Sequence, residues 1–511
     1  MTGPVISRRT FLTGAAALAA FSALPGLAGC AKAPGGPSSS SAGAASRLVV
    51  GATAEPDTFD LTQSAVAAIP QLLLYNVYET LVRVDSTGAI RPLLASAYAV
   101  SPDGLTYTFT LEPKARFASG TPVTADAVVA SIDRMRQARN GTLKDQMAVV
   151  TDARADGDGT VVVTLSRPSN LWLFNLTQTA GIVFDPAITD LATAPMGSGP
   201  FQVDDWVHGD HIDLARNENY WGTPGRFDTV TFRYVADPNA LVSAELSGEV
   251  DIISDLTSPD ALSRFTDTSR FTVIEGTTNG EVVLGFNHAS PALADKLVRQ
   301  AICHGIDRKA LLDTVWSGKG TLIGSMVPPT DPWYEDLSHT YPYDPALARS
   351  LLSQAGYGNG LTLRFRVPTL PYAPPAAQFV ASQLTKVGIT CQVEELDFGG
   401  RWITEVYTNH NYDMTIVNHV EPRDIVQFAD PTYYWQYNNP AFQQLIKEAD
   451  GSPDQATFIA DMKQAAKLLA DDAAADWLFL FPNLVVATAN ITGVAQNATS
   501  LSFDLTTIAA G

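Results

Sequence analysis

The sequence predicts a mixed α/β protein with at least two lobes. At 511 residues, the chain is longer than one ordinary compact domain. Apolar residues make up 46% and charged residues 17%, which favours a large buried core over disorder. From Arg47 onward, apolar runs typical of strands are interspersed with segments whose apolar residues recur at helical spacing, without a strict strand–helix–strand rhythm.

In the first half of the chain, the predicted elements follow one another at short intervals. Residues 48–53 (LVVGAT) predict a strand, and residues 69–85 predict an amphipathic helix that runs into a strand. Residues 107–113 alternate like a half-buried strand. Residues 124–138 have helical spacing behind Thr124, a residue type that caps helices. Residues 155–165 predict a hairpin turn and a strand.

The second half of the chain also contains both predicted helices and predicted strands. Residues 298–316 and 344–356 predict helices, and the second ends at a glycine suited to a C-cap. Residues 361–367 and 390–397 predict strands on either side of a helix. The apolar run at 413–417 predicts a buried strand, and two more helices and a strand follow it.

The N-terminus predicts an export and anchoring signal. Arg8 and Arg9 form a twin-arginine pattern in SRRTFL, and an apolar run leads to LAGC at Cys30. LAGC resembles the bacterial lipobox, in which the cysteine receives the lipid. The apolar run is short and contains Pro25, so a membrane-spanning helix is not favoured. We therefore predict a signal peptide at 1–29 and a flexible, lipid-anchored linker at 30–46, without a spanning helix.

Charge and cysteine content narrow the function classes. The formal net charge of -20 argues against a nucleic-acid partner, because phosphate binding needs lysine and arginine. Cys303 lies in a helical pattern and Cys391 in a strand pattern, so two buried thiols are expected rather than a disulfide.

The stretch NHVEPRDIVQF concentrates charged residues after a predicted buried strand. His419, Glu421, Arg423 and Asp424 are expected on an irregular loop, because Pro422 disfavours a helix before it. His419 and Glu421 could chelate a metal, but no dense His/Cys/Asp cluster accompanies them. The chain has no G-x-S-x-G, no H-E-x-x-H and no phosphate loop, so catalysis is not favoured and no cofactor is expected.

Four blocks of sequence resemble one known family. The blocks are 101–134 (beginning SPDGLTYTFTLEP), 197–222 (GSGPFQVDDW), 297–312 (LVRQAICHGIDRKALL) and 343–357 (YDPALARSLLSQAGY). Together and in this order, they resemble the family 5 extracellular solute-binding proteins. These are the dipeptide, oligopeptide and nickel receptors of ABC importers.

The resemblance implies an α/β, two-lobed fold of the periplasmic-binding-protein type, in the large family 5 variant of type II. Lobe I would be discontinuous, with residues 47–276 and a return at 486–511, and 84–188 would form an extra subdomain. Lobe II would comprise 277–485, and a ligand cleft would lie between the lobes. Hinges are expected near 277–280 and 484–488.

The resemblance also implies a function. A receptor of this family would bind short peptides outside the cytoplasm and deliver them to the permease subunits of an ABC importer. It would act as a monomer, held by its lipid on the outer face of the cell membrane in the periplasmic space. Nickel or a metallophore, an oligosaccharide and an opine are the alternative solutes within the family.

Site residues carried over from the family fall on the charged stretch. Glu421 stands at the position of the aspartate that holds a peptide amine, and Asp424 and Phe428 match a later aspartate and phenylalanine. The chain departs from the family pattern in having Glu421 for aspartate, Ile425 for proline, and Asn418 where tryptophan is common. Arg423 is expected to pair with Glu421 or Asp424, or to meet a ligand carboxylate.

Further cleft candidates come from other segments. Arg401 is a second candidate for the ligand carboxylate, and Trp402 could line the cleft or fill a core. Glu55 and Asp57 follow the first predicted strand. Dipeptide receptors carry an arginine where residues 368–379 have none, which weighs against a strict dipeptide receptor.

Overall fold

The computed structural model describes residues 46–452 and 454–511. The predicted signal peptide at 1–29, with Arg8 and Arg9, lies outside the described residues, and so does the predicted lipidation site Cys30. The described linker consists of Ser46 alone.

The described part of the chain contains strands of very different lengths. They are β1 (Arg47–Ala52), β2 (Val82–Val84), β3 (Ile90–Pro92), β4 (Ala95–Val100), β5 (Thr106–Leu111), β6 (Val150–Ala155), β7 (Thr160–Leu165), β8 (Phe201–Val207), β9 (His211–Arg216), β10 (Thr229–Tyr234), β11 (Ile252–Ile253), β12 (Phe271–Phe286), β13 (Leu361–Pro368), β14 (Ile389–Leu396), β15 (Met414–His419), β16 (Ala475–Thr488), β17 (Ile491–Thr492) and β18 (Ala509–Ala510).

The helices of the same residues are mostly short. They are α1 (Ala68–Leu73), α2 (Ala125–Arg136), α3 (Gly141–Gln146), α4 (Asn170–Asn175), α5 (Pro238–Ser247), α6 (Lys296–Gly305), α7 (Arg308–Val315), α8 (Pro345–Gln354), α9 (Ala373–Thr385), α10 (Pro440–Gly451) and α11 (Gln455–Asp471). Short 3-10 segments occur at Thr179–Gly181, Pro259–Arg264 and Asp424–Ala429, and a π-helical segment at Phe398–Thr408. None of the described helices has the length and apolar character needed to cross a membrane.

One mixed sheet runs through the described part of the molecule. Its strand order is β14-β13-β15-β12-β16-β11-β1-β10-β9-β8. The antiparallel pair β12 and β16 lies at its centre, and these are its longest strands. A separate antiparallel sheet, β4-β5-β7-β6, lies within the predicted extra subdomain.

The two central strands connect two sets of cores. One pair of core clusters is built from residues up to Phe271 and from Leu484 onward. The other pair is built from Val282 to Leu480. We use lobe I and lobe II for these two parts of the chain, and keep the predicted bounds 47–276, 277–485, 486–511 and 84–188 as a proposal.

The strand pairing changes where β12 passes between the lobes. Thr277 pairs with Pro482 and Glu281 with Leu480, and the register shifts between these pairs. Residues 278–280 therefore leave the ladder, and backbone freed from a ladder can change its angles at lower cost than paired backbone. We propose this crossing, with 480–482 opposite it, as the hinge. The second predicted hinge, near 484–488, is instead paired with β12 along its length.

Local expectations differ from the structure in three places. The helix predicted within 69–85 ends at Leu73, because the chain turns at Tyr75, whose φ is +65°. The helix predicted at 298–316 is divided into α6 and α7, and Asp307 caps the second by accepting from the Ala310 amide at 3.0 Å. Cys303 is buried as predicted, whereas Cys391 is half-buried, and both thiols are free in the described residues.

Candidate ligand-binding cleft

A cavity of about 410 Å³ lies at the crossing strands, between the two lobes. Lobe I contributes one wall, comprising Ala52–Ala54, Ala67, Ala68, Gln71, Ser254–Thr257, Ala498 and Ser500–Phe503. Lobe II contributes the other wall, comprising Trp316, Leu370–Tyr372, Asn418 and Val420. The hinge segments Thr278–Gly280 and Phe481–Asn483 complete it.

The lobe II wall is held in place by Tyr372. Its hydroxyl accepts a hydrogen bond from the backbone amide of Asn418 at 2.8 Å. Its ring packs edge-on against the Phe481 ring, with 5.3 Å between the ring centroids. The Oδ1 atom of Asn418 is buried and has no partner in the described residues. Because a buried acceptor without a donor is costly, this oxygen is available to a donor on a solute.

A side chain at position 280 would crowd Asn418 where it meets the hinge. A Cβ added at Gly280 would lie 3.0 Å from Asn418 Oδ1 and 3.1 Å from Thr278 Oγ1. The Gly280 amide donates to Thr278 Oγ1 at 2.9 Å, which stabilises the backbone outside the ladder. The hinge thus contributes backbone groups, rather than bulky side chains, to the cavity.

Asp255 has the one charged side chain among the described residues that line the cavity. No lysine, arginine, histidine or second carboxylate belongs to the described residues that line it. The Asp255 carboxylate makes no hydrogen bond or ion pair with those parts of the chain that the structure describes. Its side chain is exposed to the cavity, and the nearby atoms of the cavity walls displace part of its water and raise its pKa to about 6.

Among the ten predicted binding residues, all of which are described, Asn418 lines this cavity. Glu421 is exposed beyond the cavity-lining Val420. Its role as the amine acceptor stays a prediction, and so do the binding roles of the other eight residues, which also lie outside the cavity lining.

His419 and Asp424 are buried together rather than exposed on a loop. Strand β15 continues through His419 because Asn418 and His419 pair with Val282 and Glu281 of β12. The His419 Nδ1 atom lies 3.0 Å from Asp424 Oδ2, and its Nε2 lies 2.8 Å from the Tyr434 hydroxyl. Ligand atoms of His419, Glu421 and Asp424 lie within 4.8 Å of one another, a spacing that could hold a metal ion.

Arg423 has a different partner from the two we expected. Its Nε lies 4.0 Å from Asp331 Oδ1, and it forms an ion pair with neither Glu421 nor Asp424. The pairing predicted for Arg423 is therefore wrong, because the residue adopts φ +64° and its guanidinium lies over Phe174, 3.6 Å from the ring centroid. Burial lowers the pKa of Arg423 to about 10. Since Phe174 belongs to lobe I, this is a contact between the lobes.

The remaining predicted residues make local contacts. Phe428 is fully buried and stacks on Trp435 at 4.0 Å, and Trp402 is a core residue whose Nε1 donates to Thr415 Oγ1 at 3.1 Å. The exposed Arg401 donates to Glu394 at 2.8 Å.

The two acidic residues after β1 accept hydrogen bonds within lobe I. Glu55 accepts from Trp206 Nε1 at 2.7 Å, and Asp57 accepts from Ser64 Oγ at 3.0 Å. Their neighbour Ala54 lines the cavity instead.

Comparison with known proteins identifies the family. Residues 89–440 match the sequence profile of the bacterial extracellular solute-binding proteins, family 5 middle region. The chain belongs to this family. Family 5 proteins are the substrate-binding components of ABC importers, and the two-lobed fold of the chain is that of their periplasmic binding proteins.

Individual family 5 relatives differ in their solutes. The glutathione-binding protein GsiB of Escherichia coli O1:K1 is 28% identical over 367 residues, 70% of this chain and 71% of its own. The periplasmic binding protein DppA of Helicobacter pylori, in complex with the peptide STSA, has a TM-score of 0.77 at 22% identity, over 91% of this chain and 98% of its own. NikA of Brucella suis, in complex with Fe(III)-EDTA, has a TM-score of 0.79 at 22% identity, over 91% and 100%.

Asp255 was missed because its importance depends on the fold. It follows the two-residue strand β11 in the sequence DIISD, where a short apolar run ends in a carboxylate. The same signal, a charged residue directly after a buried strand, drew attention to the stretch at 418–428. In DIISD the run is too short to stand out.

Proposed function

We propose that the protein is an extracytoplasmic receptor that binds short peptides in the cleft and delivers them to an ABC permease. The observation that supports this best is the cavity at the hinge, which has one carboxylate, several amides and hydroxyls, and aromatic side chains on both walls. An extended peptide offers an ammonium, backbone donors and acceptors, and apolar side chains, so its groups complement these walls.

The size of the cavity favours a short solute. Sites for small molecules range from roughly 300 to 1,000 Å³. At about 410 Å³, this cavity is near the lower end of that range. A peptide of two or three residues is therefore a better match than a long oligopeptide.

Transport requires the solute to favour one conformation. A peptide that contacts both walls makes its full set of contacts only when the lobes are together, so binding shifts the population toward the closed form. The permease would recognise that form. We further propose that the receptor is a non-enzymatic, monomeric lipoprotein, exported by the twin-arginine route and anchored through Cys30.

Purification followed by mass spectrometry of the released solute tests this function. We expect peptides of two or three residues, and isothermal titration with a released peptide should give one site per protein. Release of sugars, or of solutes without peptide bonds, would contradict the proposal.

A metal or metallophore receptor is the second candidate, because His419, Glu421 and Asp424 lie within 4.8 Å of one another. Both ring nitrogens of His419 already have partners, so peptide binding remains our first choice. Titration of nickel and copper into protein freed of solute should give no heat at micromolar metal. Stoichiometric binding would favour the second candidate.

A further inference from the structure

We propose that Asp255 on lobe I, rather than Glu421 on lobe II, binds the ammonium group of the solute. The inference rests on the proposed peptide function and specifies which wall of the cleft recognises charge. It also narrows the solute class to peptides with a free amine and without an excess of carboxylates.

The first support is the position of Asp255. Its neighbours Ser254, Leu256 and Thr257 also line the cavity, so this stretch of lobe I lies along the wall. The backbone on either side is fixed, because the Ser254 amide donates to the Gly51 carbonyl at 3.0 Å and the Leu256 amide to the Leu484 carbonyl at 2.8 Å. Asp255 is thus held on a rigid edge, while its side chain remains free for a solute.

The second support is that no donor among the described residues competes with a solute for the Asp255 carboxylate. Some carboxylates of lobe I are committed to structural hydrogen bonds: Glu55 accepts from Trp206 and Gly209, and Asp237 caps α5. Asp255 is exposed to the cavity and accepts no hydrogen bond from the described residues, so its carboxylate is accessible to a cation on a solute. A primary ammonium supplies the charge and three donors in a small volume.

The third support is the character of the other cavity residues. The described residues that line the cavity include no basic side chain, so a second or third carboxylate on a solute would have no cation to meet. One carboxylate can be hydrogen-bonded by a side-chain amide such as that of Gln71, which lines the cavity. The cavity therefore favours a peptide with one ammonium and one carboxylate over glutathione, which has one ammonium and two carboxylates.

The amine acceptor predicted from the family resemblance has a different environment. Glu421 is exposed and lies beside Asp424, outside the residues that line the cavity. Because Glu421 lies outside the cavity lining, neutralising it should change little in the binding of a solute in this cavity. Glu421 therefore provides the matched control for Asp255.

Equilibrium dialysis with peptide libraries tests the assignment. Purified protein, freed of solute, is equilibrated with a tripeptide library and with the same library after N-acetylation, and retained peptides are quantified by mass spectrometry. We expect the wild-type protein to retain free-amine peptides at least ten-fold more than N-acetylated ones. Asp255→Asn should remove this preference, while Glu421→Gln should keep it. Glutathione added as a competitor should displace few peptides.

The possible failures are distinguishable. If the wild-type protein retains neither library, the peptide function itself is wrong. If it prefers free amines but Asp255→Asn leaves that preference intact, the assignment to Asp255 is wrong and the peptide function stands. Loss of the preference in Glu421→Gln alone would place the amine on lobe II. Thermal unfolding of both variants checks that they fold, and asparagine is isosteric with aspartate.

Discussion

At the scale of single residues, Asp255 predicts that solute binding depends on pH. The surrounding cavity walls raise the pKa of its carboxyl to about 6, and Tyr372 is the only other titratable side chain among the described residues that line the cavity. An ammonium binds the ionised carboxylate, so affinity should be full at pH 7.5. Below pH 6 it should fall, by up to about tenfold for each pH unit.

Calorimetric titrations at pH 7.5, 6 and 5 would measure this dependence with a peptide whose own groups do not titrate in that range. Asp255→Asn should bind weakly at every pH and show a flat profile. A wild-type profile that is equally flat would contradict an ionised Asp255 as the partner.

Glu245 predicts a second pH effect, on stability. It lies on α5, both of its carboxylate oxygens are buried without a partner in the described residues, and burial raises its pKa to about 8. The unfolded chain releases this proton near pH 4.3, roughly the ordinary value. Between the two values the folded state holds a proton that the unfolded state has lost, so stability should fall as pH rises from 5 to 8.

Chemical unfolding at pH 5 and pH 8 would test this. Glu245→Gln should reduce the difference between the two free energies of unfolding. The exposed Glu249, which pairs with Arg233, is the matched control, and Glu249→Gln should leave the difference unchanged. An unchanged difference in Glu245→Gln would show that this residue does not titrate as described.

At the scale of elements, we predict that a substitution at the crossing of β12 reduces peptide affinity while changing the stability of the fold little. In Gly280→Ala, the new methyl group would be about 3 Å from Asn418 Oδ1, so the Asn418 side chain would have to shift within the cavity wall. We expect a clear loss of peptide affinity, with the free energy of unfolding lowered by only about 1 kcal/mol. Titration and chemical unfolding measure the two quantities.

Gly141→Ala is the control for this change, because a Cβ at Gly141 would meet no atom within 4 Å. Its affinity should equal that of the wild type. If Gly280→Ala also binds normally, Asn418 has no part in holding the solute.

The elements also show how far sequence reasoning reaches. The two-lobed fold followed from four ordered blocks, and β5, α2 and α8 lie close to their predicted positions. The end of β15 was misjudged because His419 is polar. Its pairing with Glu281 comes from a strand more than 130 residues away, which local pattern does not reveal. The cavity is assembled from segments distributed over most of the chain, so only the fold could bring Asp255 and Asn418 to one site.

At the scale of the whole molecule, a second contact between the lobes lies away from the hinge strands. Asp450, at the end of α10, is buried and accepts from Ser169 Oγ at 2.8 Å and the Leu171 amide at 2.9 Å, and it also pairs with Arg167. Asn170 donates to the Ser452 carbonyl at 2.7 Å. The residues at 167–171 belong to lobe I and those at 450–452 to lobe II, so these bonds form only when the lobes meet.

This contact predicts that Asp450→Ala favours the open form. Charge-assisted hydrogen bonds contribute roughly 1.5–3 kcal/mol, so we expect peptide affinity to fall by about tenfold or more. Small-angle X-ray scattering should show a larger radius of gyration in the presence of peptide. Glu448→Gln, on the exposed face of the same helix, should behave as the wild type. Unchanged scattering and affinity in Asp450→Ala would show that the contact does not control closure.

The Asp450 contact is separate from the hinge strands, so closure of the lobes would depend on the thickness of the bound solute. The hinge strands keep the lobes together at one place whatever the solute, whereas the second contact can form only if the solute lets the lobes approach. A solute of suitable charge that is too bulky would be held by Asp255 while Asp450 stayed apart from Ser169. Such a solute would occupy the receptor without producing the conformation that a permease accepts, and it would act as an inhibitor of uptake rather than as cargo.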